Sequence, residues 1–389
     1  MRYPLVNEAA YFVRGLGLFR VGSKPAGNEV TGSVQPSTTR SRRSRLVAAC
    51  LMESKRLLPS SVAALGLLLA LALTAQEPPQ KKRAARPPLP GVKEVQKPMD
   101  LLKPDATFSV PGIPDWTIAS PNAVWVSNGP KNSISKLDAK TNTVTETVTV
   151  GVKPCSGIAY GFGSLWIPNC GDKTVSRVDA KTAKVVATIP VGPANSEGGI
   201  TCSQDAVWLP TGAAGDKVAR IDPKTNRVVA EVSVPEGSHT ADFGEGAVWV
   251  TNSKGKVVSR IDPKTNQVSD TIEVGPQPRF LAVGEGFVWT LNQGDGTVSK
   301  IDPKTRKTVA TIAVGIPGTG GEIATGGGAV WVTVFQIPLS RIDVKTNKVT
   351  QQFAGPGGDA VLFAHGSVWL SNLRQLNVWR LNPAQITAQ

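Results

Sequence analysis

His239 is the residue of this chain whose side chain is best suited to proton transfer or metal binding. The chain contains two histidines, and the other, His365, lies in a predicted turn, where we interpret it as a surface residue. Histidine titrates close to neutral pH and is a frequent general base and metal ligand. His239 is therefore the candidate catalytic residue, although a histidine that only lines a polar channel or contacts a ligand would give the same pattern.

Charged and aromatic residues occupy the positions equivalent to His239 in a repeat that runs through the chain. Arg279 is suited to hold a carboxylate or phosphate through two hydrogen bonds, or to neutralise a nearby glutamate. Glu197 and Glu322 are candidate metal ligands, and Mg²⁺ is an ion that carboxylate oxygens suit. The aromatic rings offer apolar area to a flat or cyclic ligand, or else plug the channel. The candidate ligand-binding residues are Trp116, Glu197, Asn252, Arg279, Phe280, Glu322 and Asp359.

Tryptophan marks the repeat that aligns these positions. Seven similar tetrapeptides, such as GAVW and GFVW, end in tryptophan at intervals of 38 to 42 residues. Such a period, with one apolar strand in each unit, is typical of a radial array of β-sheets. We predict that these tryptophans are core residues. They are Trp125, Trp166, Trp208, Trp249, Trp289, Trp331 and Trp369.

One unit contains four β-rich runs separated by turn residues. From Arg279 the chain reads RFLAV, FVWTLN, TVSKI and RKTVATIAV, with GEG, QGDG and DPKT between them. The runs are rich in Val, Ile and Thr and too short for helices, and the Asp and Pro of DPKT are typical of tight turns. We predict an all-β fold, a seven-bladed β-propeller with four-stranded antiparallel blades, over residues 104–383.

A strand from the N-terminal end is expected to close the ring. The last unit stops at NPAQITAQ without a fourth strand, and residues 106–110 resemble the outer strands but precede the first unit. We predict that they complete blade seven and remove an open sheet edge. In a closed ring the first residues of the inner strands meet at one mouth of the central channel, where His239 and the candidate ligand-binding residues are expected. Asn252 ends the second strand of blade four on the same face, where asparagine is also typical of turn chemistry.

The repeat consensus PxxxAVGxGxVWxxN…VSRIDPKTNxVxxTIxVG resembles the YVTN and YncE-type bacterial propeller repeats, and the related streptogramin (virginiamycin B) lyase propellers, over roughly residues 104–383. The resemblance is specific for the fold, since propellers carry many unrelated activities. It implies that, in the lyases, a histidine at the His239 position works with nearby glutamate and Mg²⁺ to open a cyclic depsipeptide by elimination. Those enzymes tend to have glutamate where this chain has Asn252, which removes a charged ligand of the type that Mg²⁺ prefers.

We therefore expect a monomeric propeller that binds a small molecule or a partner protein or peptide at the central-channel face, without catalysis of its own. The alternative is a Mg²⁺-dependent streptogramin B-type lyase with His239 as the base. The net charge of +14 suggests nucleic acid binding until it is apportioned along the chain. Residues 98–389 hold 27 Lys and Arg against 24 Asp and Glu. A nearly neutral propeller disfavours nucleic acid as a partner, because phosphate contacts require a basic surface.

The residues before the repeat have the pattern of a secretory signal. Lys55 and Arg56 follow Met52, and an apolar stretch at residues 62–73 leads to small residues at Thr74 and Ala75. This apolar core is shorter than the roughly 20 residues of a spanning helix. The predicted segments are a mis-start or disordered extension at 1–51, a signal peptide or signal anchor at 52–75, a Pro-rich basic linker at 76–103 and a tail at 384–389.

Two cysteines of blade two bear on the compartment. Cys155 is expected at the start of the first strand and Cys170 at the end of the second, so they stand opposite each other. A disulfide between them is compatible with export to the periplasm or outside the cell. Strand pairs often lack suitable geometry for such a bond, so two free thiols are the other expectation.

Overall fold

The computed structural model describes residues 91–155, 157–315, 318 and 320–388. The predictions for residues 1–51, for the signal peptide at 52–75 and for linker residues 76–90 lie outside the described residues. The described residues form seven β-sheets, six with four strands and one with five. Consecutive strands are antiparallel neighbours in each sheet, which confirms the predicted seven-bladed β-propeller.

Each blade is a meander that runs from the channel outwards. The inner strands are Pro114–Ser120, Ala159–Gly161, Thr201–Cys202, Ser238–Gly244, Pro278–Gly284, Ile323–Gly326 and Val361–Ala364. The second strands are Ala123–Asn128, Ser164–Asn169, Val207–Thr211, Ala247–Asn252, Phe287–Asn292, Ala329–Val334 and Ser367–Asn372. The third strands are Ser133–Asp138, Thr174–Asp179, Lys217–Asp222, Val257–Asp262, Thr297–Asp302, Ile337–Asp343 and Asn377–Leu381. The outer strands are Thr143–Thr149, Lys184–Ile189, Arg227–Ser233, Gln267–Glu273, Lys307–Ala313, Lys348–Ala354 and, in blade seven, Ala106–Ser109.

The DPKT turns explain how the third strand of a blade leads into the outer strand. The Asp222 carboxylate accepts a hydrogen bond of 2.8 Å from the backbone N–H of Lys224. Asn226 has a φ of 57°, and its N–H donates to the Asp222 carbonyl at 2.8 Å. Asp and Asn are suited to these two positions because the first bonds its own turn and the second tolerates the left-handed region.

The repeat tryptophans pack in the core as predicted. Each is at most 1% exposed, and each indole N–H donates to an oxygen five residues upstream. Trp249, for example, donates to the Gly244 carbonyl at 3.0 Å. This bond satisfies the polar end of a buried ring and fixes the turn between the first two strands of the blade.

The N-terminal strand closes the ring. Ala106–Ser109 pairs antiparallel with Asn377–Leu381, so that Phe108 lies opposite Val378. The Phe108 ring lies 5.4 Å from the Trp369 ring, centroid to centroid, and both belong to a buried cluster with Val124 and Leu137 of blade one. The predicted closure is therefore confirmed.

Residues 93–102 do not form the linker that the sequence predicted. Gln96–Pro98 adds a fifth, parallel strand to the outer strand of blade six, between short 3-10 helices at Lys93–Val95 and Met99–Leu101. Met99 and Leu102 are 3% and 4% exposed. The prediction is wrong here because these apolar side chains pack in the same buried cluster as Phe353, whatever the proline and lysine content of the segment.

The predicted tail is also structured. Pro383–Ala388 forms an α-helix, and Ile386 is fully buried in the cluster that holds Met99. One further 3-10 turn lies at Gly129–Lys131. Among the described residues, no helix is long and apolar enough to cross a membrane.

Candidate functional site

Local irregularities at the start of three inner strands place the site residues at the mouth of the channel. Strand pairing shifts register between Pro114 and Thr117, between Ser238 and Ala241, and between Pro278 and Phe280. Such bulges leave residues unpaired and turn their side chains out of the regular alternation. The residues released in this way include Asp115, Trp116, His239 and Arg279. Four of the residues at the mouth therefore lie at breaks in the strand ladders.

Arg279 connects three of the predicted site residues. Its Nη2 donates to Glu197 Oε2 at 2.9 Å, and its Nε donates to His239 Nε2 at 3.3 Å. The guanidinium carbon also lies 5.2 Å from the centroid of the Phe280 ring. Of the two roles expected for Arg279, the structure shows the pairing with a glutamate, and the partner is Glu197.

His239 is held in its neutral form. Its side chain is 8% exposed, and its Nδ1 lies 3.2 Å from Thr240 Oγ1. Arginine has no acceptor, so His239 Nε2 must accept the Arg279 hydrogen bond and the proton must lie on Nδ1. Burial and then the Arg279 charge lower the pKa of His239 to about 4. Both ring nitrogens are therefore engaged, and the imidazole is a weak base.

Three carboxyl groups, which we call the axial carboxyl cluster, lie together beside the channel axis: Asp115, Glu322 and Asp359. Burial and then the Asp359 charge raise the pKa of Asp115 well above its usual value, and the two aspartates share a hydrogen bond. Burial raises the pKa of Asp359 to about 6, although the bonds from Asp115 and from the Gly321 N–H oppose the shift. Burial and the neighbouring aspartates raise the pKa of Glu322 well above its usual value. The cluster therefore retains protons near neutral pH.

A cavity of about 200 Å³ opens above the axial carboxyl cluster. Glu322 lines it, and its Oε2 accepts from the Val361 N–H at 3.3 Å. Within the described part of the chain, Glu322 Oε1 and Trp116 Nε1 are buried without a hydrogen-bond partner. The Trp116 and Phe280 rings, 5.8 Å apart between centroids, form one wall. The lining residues are Asp115, Trp116, Glu197, Phe280, Gly320, Gly321, Glu322, Phe335, Asp359 and Leu373.

Three larger cavities adjoin the same side chains. His239 and Arg279 line one of about 670 Å³, and Asp115 and Glu197 line a second of about 440 Å³. Arg279 also lines a third, of about 610 Å³. Cys155 forms part of the wall of the second and is joined to Cys170 by a disulfide, with the Cα atoms 5.8 Å apart. Of the two states that the sequence left open for these cysteines, the structure has the bonded one.

The candidates named from the sequence do not include Asp115, Phe335 or Leu373. Phe335 and Leu373 directly follow the last residue of the second strand, in blades six and seven respectively. Each lies four residues after the repeat tryptophan of its blade, and this spacing could have identified both from the sequence.

Asn252 is a candidate that lines none of the cavities described above. It is 1% exposed, and its Nδ2 donates to the carbonyls of Pro235 and Glu236 at 2.8 and 2.7 Å. Its Oδ1 accepts from the Gly255 N–H. The side chain therefore ties two loops together, in agreement with the turn-chemistry interpretation.

Replacing Asn252 with alanine should cost about 1–3 kcal/mol of unfolding free energy, because two carbonyls and one N–H lose their buried partner. Urea unfolding followed by tryptophan fluorescence measures the loss. Asn122→Ala, at an exposed turn residue, is the matched control and should be nearly neutral. Equal small effects from both substitutions would contradict the role assigned to Asn252.

The arrangement does not favour Mg²⁺ at Glu197 and Glu322. Among the described residues, no group of three or more His, Cys, Asp or Glu side chains is arranged to hold a metal ion. Glu197 is paired with Arg279, and Asp115 shares its hydrogen bond with Asp359. The side chains that could ligate a metal ion are therefore bonded to other protein groups and do not converge on one point.

Comparison with known proteins gives relatives in structure only. No family model and no curated protein matches the chain, so the YVTN or YncE repeat family is not confirmed. A streptogramin B lyase structure matches with a TM-score of 0.58 and 18% identity, covering 71% of this chain and 96% of that one. A hydrazine synthase of Kuenenia stuttgartiensis matches with a TM-score of 0.56 and 16% identity, covering 74% and 97%. At these identities the likeness shows the propeller fold alone.

Proposed function

We propose that this protein binds a small polar ligand at the mouth of the central channel and does not itself catalyse a reaction. The cavity beside the axial carboxyl cluster supports this proposal, because a buried Glu322 oxygen there has no partner within the described residues. An unsatisfied buried polar atom costs about 1–3 kcal/mol, and a donor on a ligand would remove that cost. Concave sites with an apolar wall and few polar groups are the usual form of small-molecule sites.

A screen of fluorinated fragments by ¹⁹F NMR tests the binding function. We expect fragments to bind the purified protein and to lose several-fold in affinity in Phe335→Ala, which removes a wall of the cavity. Phe162→Ala is the matched control, since Phe162 and Phe335 are 38% and 40% exposed but Phe162 lies in a turn at the other end of its blade. If fragments bind both variants with the same affinity as the native protein, the binding site lies elsewhere and the proposal is overturned.

The lyase alternative requires a free base at His239, and Arg279 already occupies its Nε2. We expect the native protein and His239→Ala to show equal, negligible turnover of a streptogramin B-type cyclic depsipeptide with Mg²⁺. Turnover by the native protein that is lost in His239→Ala would overturn the non-catalytic proposal. Mass spectrometry of the linearised product is the measurement.

We also propose that the chain is exported. The apolar stretch at residues 62–73 and the Cys155–Cys170 disulfide support this, because disulfides persist in oxidising compartments. N-terminal sequencing of the mature protein should find a start near Gln76. A cytoplasmic protein that retains residues 52–75 would contradict the proposal.

A further inference from the structure

The cavity at the channel mouth has an excess of acidic groups. Asp115, Glu197, Glu322 and Asp359 all line it, and the lining residues include no lysine or arginine. The nearest cation described above, Arg279, is committed to Glu197 and His239. A cation placed among the axial carboxyls would let them release their protons and ionise, which a neutral or anionic ligand cannot do.

Glu322 gives this potential a specific point of attachment. The residue is 8% exposed, its Oε2 is held by the Val361 N–H, and its Oε1 has no partner within the described chain. A carboxylate that is fixed through one oxygen presents the other to a donor in a defined direction. Buried carboxylates gain most from a donor that is itself charged.

The aromatic rings favour an organic cation over a metal ion. Trp116, Phe280 and Phe335 line the same cavity as the acids, and the negative face of an aromatic ring attracts an ammonium group at about 0.5–2 kcal/mol. A metal ion needs converging oxygen ligands, whereas an alkylammonium group can donate to the carboxylates and pack its carbon atoms on the rings.

We propose that the cavity binds the primary ammonium group of a compact organic amine, with Glu322 Oε1 and Asp359 accepting its hydrogen bonds and Trp116, Phe280 and Phe335 covering its apolar part. This inference rests on the binding function proposed above and names the chemical class of the ligand. The amine enters with its charge towards the axis, and the larger cavities beside Arg279 leave room for the remainder of the molecule.

Binding of a cation should release protons. Asp115, Glu322 and Asp359 retain protons because burial and mutual repulsion raise their pKa values. Glu197, Arg279 and His239 are the other titratable groups at this mouth, and burial and Arg279 keep His239 neutral, with a pKa of about 4. A positive charge placed among the carboxyls lowers their pKa values. Amine affinity should therefore rise as the pH increases through about 6, the pKa of Asp359.

Isothermal titration with three probes of similar shape tests the proposal: phenethylamine, phenethyl alcohol and phenylacetate. At pH 7.5 we expect the amine to bind at least about tenfold more tightly than the other two, because only the amine can pair with the carboxylates that form when the cluster releases protons. Titration in buffers with different ionisation enthalpies should show net proton release. Glu322→Gln should weaken amine binding about tenfold, since it removes the charge but keeps the shape.

Glu245→Gln is the matched control, because Glu245 lies in an exposed turn at the other end of blade four. Asp359→Asn serves as a second variant if Glu322→Gln fails to fold. Equal binding of amine and alcohol at the mouth would overturn the ammonium inference and leave the binding function standing. Loss of phenethylamine binding in the presence of millimolar Mg²⁺, with the metal binding on its own, would also overturn it in favour of a metal site.

Discussion

Replacing Phe108 with alanine should lower the free energy of unfolding by about 3–5 kcal/mol, the usual cost of truncating a fully buried phenylalanine. Phe108 is 2% exposed and packs on Trp369 in the cluster that joins blade seven to blade one. The cavity left behind would lie at the seam where the two ends of the propeller meet. The loss should therefore appear in the global unfolding transition, measured by urea denaturation with tryptophan fluorescence.

Phe162→Ala controls for the loss of a phenyl ring as such. Phe162 is 38% exposed and has a φ of 56°, so its replacement should cost far less than that of Phe108. If the two substitutions lower the free energy of unfolding equally, the packing of Phe108 does not stabilise the ring, and the closure by the N-terminal strand is not needed for its stability. An unchanged m-value in Phe108→Ala would confirm that the native fold, rather than the denatured state, has lost stability.

The fold was predictable because local signals repeat. Each blade carries a tryptophan whose N–H reaches five residues back, and a turn such as that of Asp222 that bonds its own backbone. Where the strand pattern of one blade is ambiguous, the equivalent residues of the other blades indicate its structure. The segment at residues 93–102 has no such repetition. Its pairing with blade six depends on Met99 and Leu102, two apolar residues in a sequence whose composition is typical of a linker.

The site was predictable as a set of positions but not as a set of contacts. The repeat indicated that His239, Arg279 and Glu322 would share one mouth. It could not indicate that Arg279 turns to Glu197 and His239, because that choice depends on the bulges at Ser238–Ala241 and Pro278–Phe280. The groups that Arg279 meets, Glu197 and His239, lie 82 and 40 residues away in the sequence. From the sequence alone His239 could be a free base, whereas in the structure both of its ring nitrogens have partners and its pKa is lowered.

Replacing Asp359 with asparagine should change the free energy of unfolding more favourably at pH 8 than at pH 4. Burial raises the folded-state pKa of Asp359 to about 6 from its ordinary value of 3.8. The stability linked to its protonation is therefore fully present below pH 3.8 and is lost as the pH rises through about 6. A shift of roughly two pKa units corresponds to about 3 kcal/mol. Asparagine keeps the acceptor for the Gly321 N–H but never ionises, so this loss should be absent from the variant.

The comparison must be made as a difference between variant and native protein, because other groups titrate in the same range. Burial raises the pKa of Asp242 to about 6, which adds a loss of the same sign, whereas the low pKa of His239 makes stability fall towards acid pH. Both groups are present in the variant and cancel in the difference. Asp222→Asn supplies the opposite sign: hydrogen bonds from Lys224 and Thr225 lower the pKa of Asp222, so that variant should lose stability at neutral pH and not at acid pH. Parallel stability curves for Asp359→Asn and the native protein would show that Asp359 is ionised and solvated in the fold, and this carboxyl would then hold no proton for a ligand to displace.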